Sequence, residues 1–252
     1  MKLVILIALA GLIQAQPAFD VVSIKPSTDS GRMTLSPMPL TGGKLTARLI
    51  DVKTLIRFAY QVEDFQISGP GLDSQRYDVD AKAAAPASAA DTRLMLQSLL
   101  ADRFHLKLRR ETKDVSAYKL VVANGKTIKM TKGDGTGCEP EPSSTNPCQH
   151  IHDTGGFTLV GEKVSMPVFV KMLSSLLSDT VVDRTDLDGV YDFKLDLGSA
   201  GFAPAPGSPS NQMDGINAVM SGLREQLGFK LERTKSVVEI LVIEHVEKPS
   251  AN

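Results

Sequence analysis

The chain of 252 residues has no Trp, two Cys and four His, and aromatic residues make up only 5% of it. So few flat rings leave little to stack against bases or sugars. Neither sign of charge dominates: 28 basic residues meet 29 acidic ones for a net charge of −1. That balance argues against nucleic acid, which calls for a basic face, and against attachment to an anionic membrane surface. No apolar run reaches the ~20 residues that a helix needs to cross a bilayer; Leu3 to Ile13 stops at 11. The Gly-x-Ser-x-Gly elbow, the His-Glu-x-x-His zinc motif and the P-loop are also missing. These absences weigh against an enzyme and leave no motif for a cofactor.

What is present is ordinary for a folded protein, with 42% hydrophobic residues. Met1-Lys2, the apolar run and Ile13-Gln14-Ala15 read as a cleaved signal peptide over residues 1–15. No Cys follows to carry a lipid, so the expected location is periplasmic or secreted, with no transmembrane segment in the mature chain.

The remainder repeats itself. Ile67 to Ala81 reads ISGPGLDSQRYDVDA, and Val181 to Leu197 reads VVDRTDLDGVYDFKLDL; Tyr77-Asp78 and Tyr191-Asp192 lie 114 residues apart. Asp51 and Ser165, each placed to cap a helix, share that offset, as do Gly42 to Thr46 and Gly156 to Val160. Val52, Leu55, Ile56, Ala59 and Tyr60 recur at helical spacing, as do Phe169, Met172, Leu173, Leu176 and Leu177. Asp91 is expected to cap a second helix bearing Leu94, Met95, Leu99 and Leu100, with its counterpart opening at Asp214 and ending at Gly228.

Phe104, Leu106 and Leu108 alternate with polar residues as a strand does, and Phe229 and Leu231 echo them. The charged stretch Glu111 to Asp114 reads as a turn leading into a hairpin strand at Tyr118 to Ala123, and Val237 to Val246 as the closing strand. The expected fold is α+β: two tandem homologous β-α-β-α-β-β units, with helices packed on one face of a mainly antiparallel sheet. The first unit covers 16–123 and the second 155–247. A polar insertion lies between them at 124–154, and a short tail follows at 248–252.

Candidate chemistry is thin. Cys138 and Cys148 enclose EPEPSSTNP, and in an exported protein a disulfide is the natural reading. A zinc-like set of both cysteines with His150 and His152, which share a face on a strand, is the sharper alternative; free thiols are the third. Asp183, Asp186, Asp188 and Gly189 resemble part of a calcium loop, but the spacing is wrong and the closing Glu is absent, so an Asp/Gly turn is favoured. Tyr77 and Tyr191 are expected to face the core, with Asp78 and Asp192 facing water. His105 and His245 read as solvated strand residues.

FDVVSIKPS at Phe19 to Ser27, LIDVKTLIRFAYQV at Leu49 to Val62, LLADRFHLKLRRETK at Leu99 to Lys113, the Val181 to Leu197 stretch and the ending VIEHVEKPSAN together resemble the DUF3738 family, numerous in soil acidobacteria. The resemblance implies an exported domain of unknown function. Similar domains follow BlaR-type membrane metallopeptidases, which implies a sensor or binding role; it supplies no catalytic residue, metal or cofactor. The element order is also similar to STN and secretin N-terminal modules. The expected function is a non-enzymatic binding or sensor module of the cell envelope, partnered by a protein, a peptide or an envelope ligand. The groove between the two units and the cysteine loop are the expected places for it. The alternative is a periplasmic hydrolase with its carboxylates, or His150 and His152, in that groove.

Overall fold

The computed structural model describes residues 17–28, 31, 33–36, 42–70, 75–134, 150–202 and 212–249. Cys138 and Cys148 lie outside them. The elements run β1 (Val21–Pro26), β2 (Thr34–Ser36), β3 (Lys44–Ile50), α1 (Val52–Tyr60), β4 (Ile67–Ser68), β5 (Tyr77–Lys82), α2 (Ala89–Phe104) and β6 (Lys107–Val122). They continue with β7 (Thr131–Lys132), β8 (His150–Asp153), β9 (Thr158–Ser165), α3 (Met166–Leu177), β10 (Val181–Asp183), β11 (Val190–Asp196), α4 (Gln212–Gly222) and β12 (Phe229–His245). The fold is α+β, and all pairings with a resolved register are antiparallel except β10 with β6 and β12 with β4. Among the described residues the strands form three four-stranded sheets.

Contacts divide the chain into two compact units. One takes Met1–Tyr60, Leu72–Lys107 and His245–Asn252, and the other takes Gln61–Gly71 and Leu108–Glu244.

In the first unit the sheet order is β1-β5-β3-β2. Alternation sends Leu45, Ala47, Tyr77, Val79 and Ala81 inward, where they are buried along with Leu55 and Ile56 of α1 and Leu96, Leu100 and Phe104 of α2. Tyr77 meets Phe104 edge-on, with ring centres 5.4 Å apart. Helix α1 is capped as its sequence predicts: Asp51 Oδ1 accepts from Thr54 N at 2.7 Å. Helix α2 departs from the prediction. Its N-cap is Ser88, whose hydroxyl oxygen accepts from Asp91 N at 3.1 Å while Asp91 Oδ2 accepts from Ser88 Oγ at 2.7 Å. A hydroxyl three residues ahead of a carboxylate makes a reciprocal cap, and that sets the start earlier. The buried face is then Thr92, Leu96, Leu99, Leu100 and Phe104, and Leu94 is left 44% exposed. Phe104 belongs to the helix, and His105 ends it in the left-handed region at φ 49°.

In the second unit one sheet has the order β7-β11-β9-β8 and the other β10-β6-β12-β4. A single core joins them, built from Phe169, Leu173 and Leu177 of α3, Tyr191, Phe193 and Leu195 of β11, Leu223 and Leu227 in the helical turn that follows α4, and Phe229 of β12. Strand β6 is continuous for 16 residues and β12 for 17. The expected turn at Glu111 to Asp114 and the break between Leu231 and Val237 are therefore absent. Neither strand contains the Gly, Pro or Asn that a turn uses. Their charges pair across the ladder instead: Arg109 with Glu244 at 3.2 Å, Lys119 with Glu232 at 2.9 Å, and Arg110 with Glu239. Rising numbers meet falling ones, so the two strands run antiparallel.

The same order of elements occurs twice, and the pairings follow it. Sheet β1-β5-β3-β2 is matched position for position by β7-β11-β9-β8. In the remaining sheet, Ile67 of β4 lies beside Leu241 of β12, and Val181 of β10 lies beside Tyr118 of β6. Each short strand follows a helix in one sequence half and pairs with the long strand of the other half.

Candidate functional site

The tyrosines of the repeated Tyr-Asp pair are buried as expected, Tyr77 to 2% and Tyr191 to 5% exposure. Their aspartates do more than face water. Asp78 Oδ1 accepts from Leu49 N at 3.0 Å, and Asp192 Oδ1 accepts from Lys163 N at 2.7 Å. Leu49 and Lys163 both have left-handed backbone, at φ 53° and 48°. Each falls where the register with the Tyr-Asp strand slips, between Ala47 and Ile50 in β3 and opposite the slip between Tyr191 and Phe193 in β11. A bulge takes a residue's N–H out of the ladder, and the carboxylate satisfies it. The Tyr-Asp signature is thus a structural device, one copy in each unit.

The Asp-rich turn is likewise self-contained. Asp183 Oδ1 accepts from Thr185 N at 2.9 Å and from Thr185 Oγ1 at 2.7 Å, and Tyr191 donates its hydroxyl hydrogen to the carbonyl of Asp188 at 3.1 Å. Asp186 takes φ 57°. Among the described residues no three or more His, Cys, Asp or Glu gather to hold a metal ion.

His105 caps the C-terminus of α2 and does not lie on the strand expected for it. With His245 it flanks Glu247: His245 Nε2 lies 2.7 Å from Glu247 Oε1, and His105 Nδ1 lies 3.8 Å from Oε2. The His245 hydrogen bond, then the charge of His105, holds the Glu247 carboxyl below its ordinary value. His150 and His152 sit on β8 with ring centres 4.9 Å apart. One motif escaped the sequence reading. Ser116 to Lys119 spells Ser-x-x-Lys; on a strand, residues three apart point to opposite faces, and Lys119 is paired with Glu232.

The second unit holds a cavity of ≈ 260 Å³. One wall is the segment after α1, with Gln61, Glu63 and Phe65; the other is α3, with Val170, Lys171 and Ser174; Val181 and Val238 complete it. The first wall is fixed by a reciprocal cap, in which Gln66 N donates to Glu63 O at 2.9 Å and Glu63 N donates to Gln66 Oε1 at 3.0 Å. Gln66 Nε2 then donates to Glu239 O at 3.0 Å, tying that wall to β12. On the other side Val181 N donates to Ser174 Oγ at 3.0 Å, locking α3 to β10. The cavity is therefore pre-formed, and its lining mixes apolar and polar side chains. Among the described residues the Lys171 ammonium has no ion-pair partner. The lining mixes residues from both sequence halves. The first unit carries a concavity of ≈ 250 Å³, lined by Val21, Ser23, Lys44, Thr46, Asp80 and Lys82.

Fold and site together define an α+β protein with a small pre-formed cavity. The chain belongs to the family described as "Protein of unknown function (DUF3738)", whose model matches residues 53–246. No curated protein and no solved structure matches it.

Proposed function

We propose that this chain is an internally duplicated, non-enzymatic binding or sensor module of the cell envelope, and that it takes its ligand in the cavity between Gln61–Gln66 and α3. The observation that carries this reading is the construction of that cavity. Both walls are held by backbone and side-chain hydrogen bonds made before any ligand arrives, and such preorganisation lowers the cost of binding. Its size favours a segment over a cofactor. At ≈ 260 Å³ it falls just below the ~300–1,000 Å³ of drug-sized sites and suits one or two side chains of a peptide or of a larger partner. Phe65, Val170 and Val238 would cover an apolar side chain, and Lys171 would meet an anionic group beside it.

The duplication rests on the reciprocal pairing of β4 with β12 and β10 with β6, and on the repeated aspartate bond to a left-handed residue. Export rests on the leader-like residues 1–15. The disulfide reading of Cys138 and Cys148 follows from export. One intact-mass measurement on protein recovered from the cell envelope tests both together: the chain is expected to begin at Gln16 and to be lighter by two hydrogens than its reduced form. A chain that begins at Met1, or one unchanged by reduction, counts against the respective reading.

Two-carboxylate glycoside hydrolysis needs a pair ~5–9 Å apart, and among the described residues the cavity lining contributes one carboxylate, Glu63. The binding reading is tested by thermal unfolding of the purified chain against a library of short peptides, with peptide hydrolysis followed in the same wells. A class of peptides that raises Tm, is not consumed, and loses its effect in Lys171→Glu is the expected result. Turnover of a peptide favours the hydrolase, and a library without effect removes the peptide reading.

A further inference from the structure

We infer that His150 and His152 form a two-imidazole clamp for a late divalent transition-metal ion, with Cu²⁺ held most tightly. Three independent observations converge on it.

The first is placement. On β8 the residue between them, Ile151, packs against the core of the second unit, so alternation puts both histidines on the opposite face. The second is spacing. Metal–nitrogen bonds of ≈ 2.0–2.1 Å put each imidazole centre roughly 3.2 Å from a shared ion. At the bond angles of square-planar or tetrahedral coordination the two ring centres then stand roughly 4.4–5.2 Å apart. The observed separation is 4.9 Å, with the ring planes 30° from parallel. The ring torsion is soft, so small rotations aim the nitrogens at one point. The third is an unsatisfied atom. Among the described residues His152 Nδ1 is buried without a hydrogen-bond partner, a costly state that the ring rotation toward a shared ion would relieve.

The same face carries one charge of each sign. The register places Glu162 directly across from His150 and Val160 across from His152, and the next strand brings Lys194 opposite Val160. Glu162 has no ion-pair partner among the described residues and is the nearest counter-charge along the ladder. Two imidazoles fill two coordination positions, and water fills the rest. Such an open site discriminates by ligand type: imidazole nitrogen favours Cu²⁺ over Ni²⁺ and Zn²⁺, and disfavours Mg²⁺ and Ca²⁺.

The test is calorimetric titration of the full chain with Cu²⁺, Ni²⁺, Zn²⁺ and Ca²⁺, with electron paramagnetic resonance of the Cu²⁺ form. One equivalent of Cu²⁺ with two-nitrogen hyperfine structure is expected, and no heat from Ca²⁺. His150→Ala and His152→Ala should each weaken Cu²⁺ by about tenfold or more, and His152→Gln should match His152→Ala. A Cys138→Ser/Cys148→Ser variant should bind as the natural chain does. Unchanged affinity in the histidine variants overturns the clamp, and so does binding lost only with the cysteines. Circular dichroism of each variant separates loss of the clamp from loss of the fold.

Discussion

A carboxylate that follows a buried tyrosine can serve chemistry or geometry, and here the distances decide. Asp78 and Asp192 each spend an oxygen on the N–H of a left-handed residue one strand away. Non-glycine residues in that region cost of order 1–3 kcal/mol and persist only when the surroundings over-determine them. Removing the acceptor leaves a half-buried N–H unpaired. Asp78→Ala is therefore expected to cost about 1–2 kcal/mol in urea unfolding, and Asp192→Ala, on a more exposed carboxylate, somewhat less. Asp80→Ala breaks only the exposed Arg48 pair and should cost under about 1 kcal/mol. Equal losses at Asp78 and Asp80 would contradict the role assigned to the first. The sequence marks Tyr77-Asp78 and Tyr191-Asp192 as special because they repeat. It does not show that the aspartates turn back to the backbone, because a bulge leaves no local signature in β-branched and charged residues. His105 was misplaced for a related reason: a helix can end on a left-handed histidine where Gly228 ends the other, and only the glycine advertises it.

At the scale of elements the two sheets solve one packing problem with opposite parts. Ala47 stands across from Val79 in the first unit. The equivalent pair in the second is Gly161 across from Phe193, where an added Cβ would lie 2.2 Å from the ring. Gly161→Ala should therefore destabilise by about 1–3 kcal/mol, and Phe193→Val should destabilise by opening a cavity. The double variant recreates the Ala/Val pair of the first unit. Chemical denaturation should show it less damaged than the sum of the two, and strict additivity would contradict this complementarity.

The long strands were the least legible elements. Charges at 109–114 and 230–239 look like solvated turns, yet they form ladders of ion pairs. The hydrogen bond from Lys230, then that from Lys119, depresses the Glu232 carboxyl to about 2. A carboxyl lowered on folding stabilises fully above its ordinary value near 4.5 and loses that contribution as pH falls to about 2. The Glu232→Gln variant should thus be less stable than the natural chain at pH 6 and nearly equal to it near pH 2, with the gap narrowing in high salt. A gap independent of pH would contradict the ion-pair origin.

Over the whole molecule, the α+β class and the four helices α1 to α4 can be read from periodicity and caps. The exchange of β4 and β10 between the long strands cannot. It depends on parallel pairings such as Ile67 with Leu241, which join residues far apart in the chain and carry no turn chemistry. The candidate cavity was hidden for the same reason, since Glu63 and Lys171 come to line one cavity only once those strands are placed. Amide NMR mapping of the full chain with the peptide that most raises Tm tests the central claim most directly. Shifts confined to Gln61–Gln66, Val170–Ser174 and Val238, with Val21, Lys44 and Lys82 unmoved, are expected. Shifts centred on those last three residues, or spread without focus, would contradict it.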